Sequence, residues 1–186
     1  TSQVYCGFCE NLKKKIFFNR KDINLIYMAE TLVMGNALRR FVNPERIILG
    51  FDKRTSFISK FKKFKCPIFQ YNLNQAEMVK MAINLFLFKS VSYANMMDNY
   101  CRQFGFKFSD INMSLKTDKR IGLKSYISPS LGISGGHLER DVYTLINSIK
   151  DPKIKKIFSY LRNFNQNRIN ELIKKYNFFV DKNNFK

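Results

Sequence analysis

The sequence predicts an alternating α/β segment over residues 1–72, followed by a mainly α-helical segment that contains one long helix. Short apolar runs at 23–27, 46–50 and 67–71 have the length and composition of strands, and helix-like stretches separate them. No proline or glycine interrupts residues 74–104, which favours a single helix of roughly 45 Å. Alternating strands and helices are typical of an α/β fold.

The elements of the first segment are predicted in chain order. After the first strand, residues 30–41 predict a turn and a short helix, which Asn43 and Pro44 would end. The second strand ends at Gly50, and a Lys- and Phe-rich helix leads to the third strand.

The long helix, with Asn74 as its expected cap, is apolar on nearly every face between Met81 and Met97. A helix that is apolar all round must be covered all round, and in so short a chain a second copy is the simplest cover. We therefore expect a homodimer formed through the 74–104 helix.

Beyond the long helix, either Ser109 or Asp110 is expected to cap a short helix that reaches about Leu115. A polar loop with several glycines follows over residues 117–136.

Two further helices are predicted at 139–149 and 154–176, and Pro152 suits the first turn of the second. The apolar cluster at 178–180 predicts the beginning of a strand.

The net charge of +19 invites a nucleic-acid interpretation. We expect no nucleic-acid partner, because the lysines are spread along the whole chain and no binding signature accompanies them. We expect no metal either, since the C-x-x-C pair Cys6 and Cys9 lacks a second pair. Without a membrane-length apolar run or a signal-peptide pattern, a cytoplasmic protein with reduced thiols is expected.

Two polar residues of the long helix are candidates for chemistry. Lys80 and Asn84 are four residues apart and so share one helix face. A lysine beside an apolar surface suits proton transfer or the binding of an oxyanion. The alternative, a solvated lysine and a surface asparagine, is favoured when periodicity alone is considered.

The loop over residues 129–141 is the second candidate. Its glycines, Gly132, Gly135 and Gly136, allow backbone N–H groups to approach a ligand just before a helix begins. His137 is the only histidine, and Asp141 follows one helical turn later, so this pair could assist proton transfer. A lone histidine near a helix start is also often a cap or a surface residue.

Four segments, in order, resemble motifs of the UDP-glucose/GDP-mannose dehydrogenase family. Residues 76–84 resemble its long-helix motif A-E-x-x-K-x-x-x-N, and residues 118–122 resemble D-x-R-I-G. Residues 129–141 align without a gap with its glycine-rich loop, and residues 30–50 are similar to N-P-E-F-L-x-E-G followed by N-P-D-R-I-x-x-G. The four motifs lie between residues 30 and 141, and the resemblance that they define extends over nearly the whole chain.

The resemblance implies that residues 1–72 are the C-terminal part of a Rossmann-type NAD-binding domain. Residues 73–152 would form the central helical domain for dimerisation and substrate binding. Residues 153–186 would be a long connecting helix and the start of a C-terminal domain. In that family the C6 hydroxyl of a UDP- or GDP-linked sugar is oxidised twice to a uronate while two NAD are reduced, with a cysteine thiolate forming the intermediate thioester.

The resemblance also implies roles for individual residues. Glu30 would assist thioester hydrolysis, and Lys80, Asn84 and Asp141 would hold oxyanions and the water. The implied substrate-binding residues are Leu32, Arg120, Gly132, Gly135 and Gly136. Of these, Arg120 would reach the sugar site of a neighbouring subunit.

Two departures from the family pattern shape the functional prediction. His137 stands at the position of the nucleophilic cysteine, and no glycine-rich dinucleotide motif is present. We therefore expect a partial or divergent nucleotide-sugar 6-dehydrogenase that is impaired, and inactive as this chain alone. The alternative is a non-catalytic remnant that dimerises or binds a nucleotide sugar.

Overall fold

The computed structural model describes four stretches of the chain: residues 4–29, 35–53, 55–134 and 138–182. These residues form two compact units, Thr1–Ile83 and Asn84–Lys186, which are described separately below. The predicted fold class is confirmed: a small three-stranded sheet is followed by a mainly helical part that includes the predicted long helix and, at its end, a second helix of similar length. The domain boundaries predicted at residues 72 and 152 stay predictions.

The sheet of the first unit contains strands β1 (Ile26–Met28), β2 (Ile47–Phe51) and β3 (Ile68–Asn72) in that order. β1 is antiparallel to β2, and β2 is parallel to β3. All three predicted strands are confirmed, although β1 is shorter than predicted and begins later. The first four residues of β2 are buried, which is typical of a central strand covered on both faces.

Three short helical elements complete this unit: α1 (Phe8–Ile16), α2 (Ala37–Val42) and a 3₁₀ helix at Ser56–Phe61. Helix α1 was not predicted from the sequence. The predicted helix at 30–41 is confirmed only from Ala37 onwards, since residues 30–34 lie outside the described part. The Lys- and Phe-rich segment is a 3₁₀ helix and buries none of its residues, so it lacks an apolar face that would support a longer α-helix.

Gly50 allows the long helix to approach the sheet. The core of the first unit joins side chains of α1, β1 and β2 to the start of that helix, including Cys9, Tyr27, Ile48 and Ala76. A Cβ atom at Gly50 would lie 2.7 Å from the Ala76 Cβ and 3.1 Å from the Asn72 carbonyl oxygen. Only a glycine fits this close approach.

The long helix is confirmed as α3, Leu73–Arg102, with 30 residues. Its predicted cap, Asn74, is wrong. The Asn72 Oδ1 accepts the Gln75 N–H at 2.8 Å, and the Gln75 Oε1 accepts the Asn72 N–H at 3.2 Å. This reciprocal pair is a capping box, so the helix begins directly where β3 ends.

The second unit adds helices α4 (Phe108–Thr117), α5 (Leu138–Ser148) and α6 (Pro152–Lys182). Both predicted caps of α4, Ser109 and Asp110, are wrong, because the helix begins at Phe108 and both residues lie in its first turn. Asp110 accepts the Lys107 N–H at 2.9 Å. Pro152 is the first residue of α6, as predicted, and Asp151 caps that helix by accepting the Lys153 N–H at 2.8 Å.

The strand predicted at 178–180 is wrong, since α6 continues through these residues to Lys182. A Phe-Phe-Val cluster has strand composition, but a strand needs a neighbour with which to pair. No proline or glycine ends α6 earlier, and the described part of this unit contains no strand that could pair with the cluster.

The apolar surface of α3 within the second unit is only partly covered. Phe88 and Val91 pack with Ile133, Val142 and Ile146 in one cluster. Ala94 and Cys101 pack with Phe108 and Ile127 in another. Side chains on the remaining surface of the helix stay exposed: Phe86, Tyr93, Met96 and Tyr100. The predicted homodimer through this helix stays a prediction.

Among the described helices, none is both long and apolar enough to cross a membrane.

Candidate active site

A buried carboxylate and a buried amide form the centre of the candidate site in the second unit. The Asn84 Nδ2 of α3 donates to the Asp141 Oδ2 of α5 at 2.5 Å. Their residues are only 7% and 5% exposed. The structure therefore brings together two residues that the sequence analysis placed in one site, although 57 positions separate them.

Arg140 supplies the charge that a buried carboxylate needs. Its Nε and Nη2 atoms lie 3.3 Å and 3.1 Å from the Asp141 Oδ1. Each carboxylate oxygen thus has its own donor, so the Asp141 carboxylate is fixed in orientation and remains a strong acceptor. A carboxylate held in this way can orient a water molecule by accepting a hydrogen bond from it.

A cavity of about 600 Å³ lies beside the glycine-bearing loop of the same unit. Leu138, one helical turn before Asp141, lines it together with Gly132, which the sequence analysis assigned to substrate binding. Its polar lining consists of four serines, a tyrosine and one lysine: Ser125, Ser128, Ser130, Ser134, Tyr126 and Lys116. Several hydroxyls and one cation are groups that suit a ligand with many hydroxyls and a negative charge.

Two of these hydroxyls have unused hydrogen-bonding capacity. The Oγ atoms of Ser125 and Ser130 are buried and have no hydrogen-bond partner among the described residues. A buried hydroxyl without a partner is costly. A ligand hydroxyl or phosphate oxygen in the cavity would remove that cost.

Arg120 does not line this cavity. It is held locally: its Nη2 lies 2.7 Å from the Asp118 Oδ2, and its backbone N–H donates to the Asp118 Oδ1 at 2.9 Å. The hydrogen bond from Arg120 lowers the pKa of Asp118. The guanidinium is 88% exposed, so Asp118 fixes a cation that faces solvent.

Lys80 belongs to the first unit, where it is 6% exposed. The sequence-derived alternative of a solvated lysine is therefore wrong.

Glu77, one turn earlier than Lys80 on α3, is fully buried. Its carboxylate accepts the Gly7 N–H at 2.6 Å and the Cys9 N–H at 2.8 Å, which caps α1. No role was predicted for Glu77, although a carboxylate within an apolar stretch of helix is a signal for a buried partner.

Five predicted site residues lie outside the described residues: Glu30, Leu32, Gly135, Gly136 and His137. Their assigned roles rest on the sequence alone.

The thiols of Cys6 and Cys9 are expected to resist alkylation near neutral pH. A helix N-terminus ordinarily lowers a thiol pKa, but here burial, the hydrogen bond to Glu77 and its negative charge raise the pKa of Cys9 to about 12. Burial, followed by the charge of Glu77, also raises the pKa of Cys6. Because the folded pKa of Cys9 exceeds the unfolded one, this thiol stabilises the fold below about pH 9 and stops doing so as the pH rises towards 12.

Iodoacetamide labelling, read site by site by mass spectrometry, checks this expectation. The half-buried Cys66 is the reference thiol. Cys9 should label at least about tenfold more slowly than Cys66 in the folded protein and equally fast in denaturant. Equal labelling in the folded protein would contradict the raised pKa.

The candidate site lies within a segment that matches a known domain. Residues 74–170, which include Asn84, Asp141 and the cavity-lining loop, match the central domain of the UDP-glucose/GDP-mannose dehydrogenase family. The chain belongs to this family. The predicted membership is therefore confirmed.

Family members with curated names extend the match beyond the central domain. The UDP-glucose 6-dehydrogenase of Campylobacter jejuni is 33% identical over 152 residues, which are 78% of this chain and 37% of that protein. TuaD, the UDP-glucose 6-dehydrogenase of Bacillus subtilis, is 28% identical and covers 76% of this chain and 31% of its own length. The chain thus spans roughly a third of the length of these family members.

Solved structures of the family share the fold. A UDP-glucose dehydrogenase from Pyrobaculum islandicum superposes with a TM-score of 0.80 at 25% identity, over 94% of this chain and 41% of that one. A UDP-D-ManNAc dehydrogenase from Pyrococcus horikoshii also gives 0.80, at 21% identity, over 100% and 45% of the two chains. The second similarity concerns the fold alone.

Proposed function

We propose that this chain forms the substrate-binding part of a nucleotide-sugar 6-dehydrogenase, an oxidoreductase that acts on the C6 hydroxyl of a UDP- or GDP-linked sugar. The buried Asn84–Asp141 pair supports this proposal most strongly. Its hydrogen bond is 2.5 Å long, and Asp141 lies one helical turn from a residue that lines the hydroxyl-rich cavity. The similar proteins from Campylobacter jejuni and Bacillus subtilis are UDP-glucose 6-dehydrogenases, which supports this reaction class.

The geometry suggests how Asn84 and Asp141 would contribute. The Asp141 carboxylate has a fixed orientation, because Asn84 donates a hydrogen bond to it. In the proposed reaction Asp141 orients the hydrolytic water, and Asn84 holds Asp141 in place. The proposed roles of Lys80 as an oxyanion partner and of Glu30 in hydrolysis follow from the family resemblance. The burial of Lys80 agrees with its role, because burial strengthens the interaction of an ammonium with an oxyanion.

The turn between β3 and α3 does not fit a dinucleotide. A dinucleotide pyrophosphate needs a glycine-rich turn between a strand and a helix, whose free N–H groups face the phosphates. The direct strand-to-helix turn from β3 to α3 contains Asn72 and Leu73, and the Asn72 N–H is already bonded to Gln75. We therefore assign no NAD-binding residue to this chain and no reaction step to NAD within it.

A second candidate function is a protein that binds a nucleotide sugar or dimerises without catalysis. His137 at the position of the nucleophile favours it, because imidazole is a poor replacement for a thiolate in the thioester route. The exposed aromatic residues of α3 are the surface proposed for dimerisation.

Titration calorimetry of this chain with UDP-glucose and GDP-mannose tests the proposal, with free glucose as the control ligand. We expect one of the nucleotide sugars to bind and Lys116→Ala to weaken that binding about tenfold, because Lys116 is the lysine that lines the cavity. Lys119→Ala removes the same charge from an exposed position outside the cavity and should have little effect. No binding of either sugar, or equal losses in the two variants, would contradict the proposal.

A further inference from the structure

Asn165 of α6 holds the backbone of the loop that lines the cavity. Its Oδ1 accepts the Ile133 N–H at 2.7 Å, and its Nδ2 donates to the Ile133 carbonyl oxygen at 2.8 Å. Asn165 is only 3% exposed. One side-chain amide therefore satisfies both polar backbone groups of one loop residue, which fixes its position and its rotation.

Gly132, the preceding residue, allows the loop to lie close to the same helix. Its φ of +143° disfavours residues with a Cβ atom. A Cβ there would also lie 2.5 Å from the Ile169 Cγ1, one helical turn beyond Asn165. The hydrogen bonds of Asn165 thus act across a close contact between the loop and α6.

Arg168 holds a second point of the loop. Its Nε donates to the Ser130 carbonyl oxygen at 2.9 Å. The Ser130 N–H in turn donates to the Oδ1 of the buried Asn95 at 2.8 Å. Both backbone groups of Ser130 are therefore bonded to side chains from α3 and α6.

The guanidinium of Arg168 is itself held in place by α3. Its Nη1 donates to the Asn99 Oδ1 at 2.8 Å, and its Nη2 lies 3.9 Å from the Asp98 carboxylate. Asp98 is buried and also accepts the Arg102 Nε–H at 2.9 Å and the Phe108 N–H at 3.1 Å. This arrangement ties Arg168 to a fixed anion, so it cannot move freely with the loop.

We propose that Asn165 and Arg168 are positioning residues that set the conformation of loop residues 130–133, and with it the sugar-binding wall of the cavity. The inference deepens the proposed function and rests on it. The loop has no regular secondary structure, so its backbone groups need other partners. Water would satisfy them in a mobile surface loop, whereas buried side chains on two helices fix one conformation.

The test compares Asn165→Asp with Asn167→Asp, which makes the same chemical change at an exposed position of α6. Asn165→Asp keeps the acceptor for the Ile133 N–H and replaces the donor to the Ile133 carbonyl with a carboxylate oxygen. We expect amide hydrogen exchange over residues 130–133 to become at least about tenfold faster without ligand, with helical content unchanged. UDP-glucose affinity should fall about tenfold, while affinity for UDP alone falls less.

Arg168→Lys is the second variant, which keeps the charge but cannot donate to Ser130 and Asn99 in the same fork geometry. Faster loop exchange in both variants, together with a selective loss of sugar affinity, supports the proposal. Unchanged loop exchange would overturn it, and so would faster exchange with equal losses for UDP-glucose and UDP. Failure of the wild-type chain to bind any nucleotide sugar would instead overturn the proposed function, and the ligand-free exchange would then decide the loop positioning by itself.

Discussion

A chimera in which this chain replaces the matching segment of the Campylobacter jejuni UDP-glucose 6-dehydrogenase is expected to form no uronate, and His137→Cys is expected to restore it. The two proteins align over 152 residues, so the replaced segment is defined by the alignment. The gain should be on the order of 10³-fold or more, because loss of a catalytic nucleophile has effects of that size. A thiolate adds readily to an aldehyde and later leaves from the thioester, whereas imidazole does neither as well.

Mass spectrometry of the sugar product measures this gain directly, since it separates the alcohol, the aldehyde and the uronate. Ser134→Cys is the matched control, because it places a thiol three positions earlier on the same loop. We expect no uronate from that variant. Uronate formation by the chimera with His137 intact, at a rate near that of the His137→Cys variant, would show that the cysteine route is dispensable here.

The long helix and the strands could be predicted because their signals are local. α3 has no internal proline or glycine, and β2 is a short apolar run that ends near a glycine. The caps were harder, because Asn72 and Asn74 are both good capping residues. The deciding signal was Gln75, three positions after Asn72, which completes the reciprocal hydrogen bonds.

The site could be predicted only where side chains meet side chains in a known motif. Asn84 and Asp141 were placed together by their resemblance to two family motifs, because periodicity cannot connect residues on different helices. Glu77, Asn165 and Arg168 were not predicted, since each of them bonds to backbone groups of a distant segment. Every residue carries a backbone C=O, and every residue except proline carries an N–H, so the sequence does not show which of these groups a side chain will bind.

Glu77→Ala is expected to lower the free energy of unfolding by about 3 kcal/mol, because it leaves one buried and one part-buried N–H group without an acceptor. The donors are the Gly7 and Cys9 N–H groups, at 2.6 Å and 2.8 Å from the two carboxylate oxygens. They belong to the N-terminus of α1, where the helix dipole favours a negative charge, so the carboxylate is stabilised there in spite of its burial. Removal of the side chain also leaves a cavity in the core around Cys9.

Urea denaturation monitored by circular dichroism measures the change. Glu77→Gln separates the contributions, because a neutral amide keeps one oxygen acceptor but turns a donor towards the other N–H group. It should cost about 1–2 kcal/mol, less than the alanine variant. Glu10→Ala is the matched control, since Glu10 is an exposed carboxylate in the first turn of α1 and should change stability by no more than about 0.5 kcal/mol. If Glu77→Ala were as stable as Glu10→Ala, the buried carboxylate would not be what holds α1 on the long helix.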